Sequence, residues 1–214
     1  MRYATVWSAL CMSALVACSG QDAQQTEGAE QAAVPSPEEA ALETVRQATE
    51  KYQDVNVAVQ DGYIPDPSGA CVDAAMVGAP ASLGAMGLHY LRPDLLGITM
   101  PPAPGRITGT DGVIDDLQPD VLVYEPQADG SQKLVAVEYL VFEKAWQEAG
   151  NTTPPTFAGT PFVHMVDDPA TEMDEAHDFE PHYELHVWLY RENPNGRYAE
   201  LNPNVTCPQA AHSS

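Results

Sequence analysis

Polar and apolar residues alternate from His182 to Tyr190. In an extended chain successive side chains point to opposite faces. His182, Glu184, His186, Trp188 and Tyr190 therefore share one face, and Tyr183, Leu185, Val187 and Leu189 the other. A helix over 181–193 is the competing reading, but Val, Trp and Tyr favour the strand. Asn193-Pro194-Asn195-Gly196 is turn chemistry, because Asn and Gly tolerate positive φ and Pro pre-sets its own. Residues 197–201 then read as the returning strand of a hairpin.

Two further strands are predicted at 121–125 and 133–143, joined by a turn containing Asp129-Gly130. The second is apolar on both faces, with Leu134, Ala136, Leu140 and Phe142 set against Val135, Val137, Tyr139 and Val141. It should lie at the centre of its sheet. Glu138 interrupts the first of those faces. A buried carboxylate is costly, so Glu138 needs a cation, a donor or a proton. A short strand carrying His164-Met165 is predicted at 162–166.

The helical period appears once. Ser36 can cap, Pro37 suits the first helical position, and Glu39 completes a capping box. Ala41, Val45, Ala48, Tyr52, Val55 and Val59 form one apolar stripe ending near Asp61-Gly62. Between helix and strands, 63–88 is rich in turn residues. Gly84, Ala85 and Gly87 allow close backbone approach just before His89. Residues 93–112 read as a surface loop. Residues 167–180 read as an exposed acidic segment, with His177 solvated within it. The expected fold class is α+β: a long N-terminal helix packed on a mainly antiparallel β-sheet, with one disulfide.

The ends add an address. Arg2 precedes an apolar run closing on Leu15-Val16-Ala17-Cys18. That order resembles a bacterial lipobox. It implies a lipoprotein signal peptide at 1–18 and a lipid on Cys18. The run is too short to span a bilayer. Residues 19–36 contain no Lys or Arg and little that could form a core, so they read as a flexible tether. A single globular domain is expected at 37–208 and a tail at 209–214. The chain is then a secreted, membrane-anchored envelope lipoprotein facing the periplasm, touching the membrane through its lipid alone.

Cysteine use agrees with that compartment. Cys11 leaves with the signal and Cys18 carries lipid, which leaves Cys71 and Cys207 to pair. The formal charge of −22 argues against nucleic acid and anionic lipid heads as partners, and is compatible with a metal ion or small molecule. There is no internal repeat, glycine-rich phosphate loop, Gly-x-Ser-x-Gly elbow or Cys-x-x-Cys pair.

GAMGLHYL at 84–91, LVYEPQADGSQKLVAVEYLV at 122–141 and YELHVWLYRENPNGRYAELNPNVTC at 183–207 resemble a family of small secreted bacterial proteins of unknown function. The resemblance implies secretion. It matches Cys71, His89, Glu138, His186 and Cys207 to recurring positions. In that pattern an aromatic residue often stands where this chain has His182.

The candidate chemistry follows from residue type. His89, Glu138 and His186, with His182 and Glu184 at the rim, could hold a divalent transition metal: Zn, Cu, Mn or Fe. The same groups could instead form a buried hydrogen-bond network. A metal site would serve an enzyme or a carrier, and Met86 and Met165 offer soft ligands for copper. A non-catalytic binding or envelope-interaction protein would line a pocket with Tyr90, Tyr139, Trp188 and Tyr190. Tyr90, Tyr139 and Glu184 are the expected hydrogen-bond partners of the three central residues.

Overall fold

In the computed structural model, which describes residues 34–100, 105–171 and 174–207, Ser36 opens the first helix. Its hydroxyl accepts from the Glu39 backbone N–H at 3.1 Å. Pro37 follows, and Glu38 and Glu39 lie where the helix dipole favours negative charge. Helix α1 spans Pro37–Thr49, a 3-10 turn spans Glu50–Gln53, and α2 spans Val55–Gln60. The single long helix expected from the stripe is thus two pieces, α1 with its 3-10 end and the short α2. The break is at Asp54, whose backbone is extended (φ −94°, ψ 107°) and whose carboxylate caps α2 by accepting from Asn56 N. The break also turns the buried stripe. Leu42, Val45, Thr49 and Tyr52 face the core, while Val59 is 51% exposed.

Strands β1 (Ile64–Pro65), β2 (Cys71–Asp73) and β3 (Ala85–Leu91) come next, followed by the one-turn helix α3 (Pro93–Leu96). Strands β4 (Val121–Pro126) and β5 (Gln132–Phe142) form a long hairpin, and α4 (Glu143–Glu148) leaves its end. Strands β6 (Thr156–Phe157) and β7 (Thr160–Pro161) pair with each other. Strands β8 (Val163–Met165) and β9 (His182–Val187) complete the main sheet. Its order is β1-β3-β4-β5-β9-β8, every pairing is antiparallel, and β2 joins β1 along the outer side of β3. The fold is α+β with a mainly antiparallel sheet, and β5 is central as its two apolar faces require.

One face of the sheet packs on the helical segment through Tyr124, Leu134, Val137, Tyr139, Leu185 and Val187. A register shift refines the predicted alternation. Val123 pairs with Ala136 and Tyr124 with Leu134, which leaves Val135 as an extra residue. Leu134 therefore joins Val137 and Tyr139 on the helix side rather than Ala136 on the other.

The second face carries Leu91, Val121, Leu140 and Phe142, and this apolar surface needs a cover. Two segments expected to be exposed supply it. From 93–112 come buried Leu96 and half-buried Ile98 and Ile107; from 167–180 come buried Ala176 and Phe179. They are stitched together: Ile107 N donates to Asp178 O, and Glu180 N to Ile107 O, both at 2.8 Å. Arg106 adds ion pairs to Asp167 and Asp174 and donates to Phe179 O.

The returning strand expected at 197–201 does not form. Asn193 closes that loop on itself, donating from its side chain to Leu201 O and accepting from Asn195 N. The chain then reaches β3, where Ala85 and Asn202 exchange backbone hydrogen bonds of 3.2 and 3.0 Å. Gly84 (φ +81°) makes this possible, since a Cβ there would lie 2.1 Å from Asn202 O. The disulfide between Cys71 and Cys207 locks the same segment to β2, with Cα atoms 5.6 Å apart.

The signal peptide, Cys18, the tether through residue 33 and the 209–214 tail lie outside the described residues. Among the described residues no helix is long and apolar enough to cross a membrane.

Candidate metal centre

Register brings the central groups together. Glu138 on β5 pairs directly with His186 on β9. On its other side Glu138 pairs with Val121 of β4, and His89 of β3 pairs with Val123. His89 and Glu138 thus stand on either side of β4 and lean over it, with buried Val121 and Val123 as an apolar floor.

Glu138 Oε2 lies 3.6 Å from His89 Nε2 and 3.5 Å from His186 Nε2. All three donor atoms fall within 4.8 Å of one another. Those separations are too long for hydrogen bonds. Glu138 Oε2 and His186 Nε2 are in fact buried without any hydrogen-bond partner. The two imidazoles stand perpendicular, at 85°, with centroids 5.8 Å apart. Behind them the Trp188 ring stacks on His186 and is anchored by Nε1 donating to Ala199 O at 2.6 Å.

The electrostatics suit metal ligands. Burial, with the His186 ring beside it, pulls His89 down to about 3, and burial lowers His186 as well. Both rings therefore keep free lone pairs at neutral pH. Burial and then the neighbouring Glu184 push Glu138 well above the usual carboxylate range. For Glu184 burial pushes upward, but the hydrogen bond with His182 opposes it and the group ends below the usual carboxylate range.

His182 and Glu184 were expected at the rim. They are 1% and 4% exposed, and the Phe179 ring packs on His182. The His182 ring is held at both nitrogens: Nδ1 is 3.0 Å from Glu180 O and Nε2 is 3.2 Å from Glu184 Oε2. Glu184 Oε1 has no partner. Its carboxyl is within hydrogen-bonding reach of Glu138.

These residues wall one side of a cavity of about 380 Å³, lined elsewhere by Pro67, Val72, Val77 and Phe179. His177 is in that wall too, half-buried and with φ +53°, rather than solvated as its acidic neighbourhood suggested. Nothing in the hydrophobic pattern marks it. The one local hint is the His177-Asp178 pair, two residue types that tolerate the left-handed region both occupy.

Three expectations fail here. Tyr90 and Tyr139 face the helix side, where Tyr139 O–H donates to Asp116 O. Tyr190 O–H donates to Arg46 O on that same side. Neither the aromatic pocket nor the tyrosine hydrogen bonds to the site exist, and only Trp188 of that set is near it. The paired soft ligands are also not assembled. Met86 lines the cavity, while Met165 pairs with His182 from β8 and is not among the lining residues. Compared with known proteins, the chain matches no family model, no curated protein and no solved structure.

Proposed function

We propose that the chain is a cell-envelope lipoprotein built around a mononuclear divalent-metal centre, with His89, Glu138 and His186 as ligands. One observation carries the reading. Glu138 Oε2 sits 3.5 and 3.6 Å from two imidazole nitrogens, buried and bonded to neither. Two ligands at about 2.1 Å from one ion are about 3.4 Å apart in tetrahedral geometry. A hydrogen-bond network would have drawn the same atoms to about 2.7–3.0 Å. The donor set of two imidazoles and a carboxylate suits Zn, Mn or Fe(II) and leaves coordination positions open. The three residues line a cavity whose size falls in the range of small-molecule sites. A small ligand meeting the metal is therefore part of the proposal. The envelope address rests on the lipobox-like run ending at Cys18 and on the Cys71–Cys207 disulfide.

The test is elemental analysis and metal titration of the tag-free mature chain. One equivalent of Zn, Mn or Fe(II) is expected, with affinity falling at least about tenfold in His186→Ala and Glu138→Gln. Equal binding by wild type and variants would leave the three residues as a structural network.

A further inference from the structure

We infer that His177 hydrogen-bonds a small molecule bound at the metal, offering its ring N–H to an oxygen beside the metal-binding atom. The ligand class this selects is the short-chain carboxylate, with one oxygen on the metal, the other on His177, and an apolar tail. The inference rests on the metal reading above and adds a recognition residue and a ligand class to it.

Four histidines line the cavity: His89, His177, His182 and His186. His89 and His186 are the proposed metal ligands. His182 has both ring nitrogens engaged, by Glu180 O and Glu184 Oε2. The His177 side chain makes no hydrogen bond, ion pair or ring stack among the described residues. It also stands outside the group of donor atoms that fall within 4.8 Å of one another. Its ring is thus left to meet a molecule at the metal rather than the metal itself. The backbone is constrained to hold it there. His177 (φ +53°) and Asp178 (φ +65°) both lie in the left-handed region, which is costly for residues other than glycine. Such conformations persist where the surroundings over-determine them. Here Asp178 N donates to Asp174 Oδ2 at 2.7 Å, Phe179 N to Ala176 O at 2.9 Å, and Ile107 N to Asp178 O at 2.8 Å. A histidine that merely met solvent would need none of this.

The chemistry of the partner follows. No Lys or Arg lines the cavity, so an oxygen of the ligand must find its donor among neutral groups. The Ser68 hydroxyl already donates to Asp66 Oδ1. An imidazole keeps an N–H in either tautomer, so His177 can donate. Of the acidic side chains in the wall, Asp66 is engaged by Ser68 and Asp174 by Arg106, which lessens their repulsion of an anion. A carboxylate has two neighbouring oxygens, one for the metal and one to accept from His177. Leu91, Val121, Leu140 and Phe179 also line the cavity and suit a short apolar tail.

The experiment titrates butyrate and thiocyanate into the Co(II)-loaded mature chain, read by its visible absorption. Thiocyanate binds a metal through nitrogen and ends in sulfur, a weak acceptor. The variants are His177→Ala and His177→Gly, with urea unfolding to establish that they fold. Glycine suits the left-handed backbone and keeps the test open if the alanine variant does not fold. Both should keep Co(II) affinity within about threefold, because His177 is not a ligand. They should weaken butyrate by about tenfold, the scale of one hydrogen bond to a charged group, and leave thiocyanate unchanged. If a variant that takes up Co(II) binds butyrate as wild type does, or loses both anions equally, the inference falls and the metal centre stands. The same holds if Co(II)-loaded wild type binds no butyrate. If wild type takes up no Co(II), Zn, Mn or Fe(II), both fall.

Discussion

Glu138 is costly for a sheet to bury. It interrupts a strand whose neighbours Val137 and Tyr139 are fully buried, and its Oε2 meets no imidazole nitrogen closer than 3.5 Å. A carboxylate kept there for stability would be hydrogen-bonded; one kept for a ligand costs stability in the ligand's absence. In EDTA, Glu138→Gln should therefore be as stable as wild type or more so, by roughly 0–2 kcal/mol in urea unfolding. A clear loss of stability would mean that the residue serves the fold. Asp120 offers a separate pH test. Its Oδ2 accepts from Leu140 N at 3.0 Å, and burial pushes the group up to about 8. The folded state thus holds a proton that the unfolded chain releases near pH 4. Its stabilising contribution is complete below that pH and is lost as pH rises to about 8. The slope is at most about 1.4 kcal/mol per pH unit. Asp120→Asn keeps an acceptor for Leu140 N but cannot ionise. Its melting temperature should fall less than that of wild type between pH 4 and 8; parallel curves would sink the assignment.

At the scale of elements, β9 and the second half of β5 were legible because period-two alternation needs no partner to be read. His182, Glu184 and His186 share a face in the structure as they do in the pattern, and Glu138 stands out because its strand is otherwise apolar. What escaped depends on distant contacts. The extra residue at Val135 shifts Leu134 to the other face, and a bulge leaves no mark in an all-apolar run. Asp54 breaks the helix although the apolar spacing passes through it unchanged. The cover over Leu91, Val121, Leu140 and Phe142 comes from 93–112 and 167–180, whose buried residues have no periodicity. Cysteine counting succeeded because it needs no geometry. The Cys71–Cys207 bond spans 136 residues and fastens the C-terminal segment, which pairs with Ala85 of β3. Replacing both cysteines by Ser should cost roughly 2–5 kcal/mol in urea unfolding. The metal ligands lie on β3, β5 and β9, so Zn affinity should change much less than stability. A variant as stable as wild type would show the bond to be incidental.

For the molecule as a whole, charge and site pull on the same measurement. With Lys+Arg 9 against Asp+Glu 31, the folded chain repels itself, and any salt relieves this by screening. A rise in melting temperature with Zn is thus ambiguous alone. Binding confined to the folded state adds about 2.7 kcal/mol when free metal is a hundredfold above its Kd. In a domain of this size that is about 5–10 °C. Screening depends on ionic charge and concentration, so Mg²⁺ at equal concentration reproduces it. Mg²⁺ also prefers an octahedral shell of oxygens and is poorly served by two imidazoles. Wild type should gain the full increment with Zn and only a small one with Mg²⁺. Glu138→Gln should lose the Zn increment and keep the Mg²⁺ one, because the variant changes the site and barely changes the net charge. If Mg²⁺ matches Zn in wild type, or Glu138→Gln still responds selectively to Zn, the effect arises from the acidic surface and not from the centre formed by His89, Glu138 and His186.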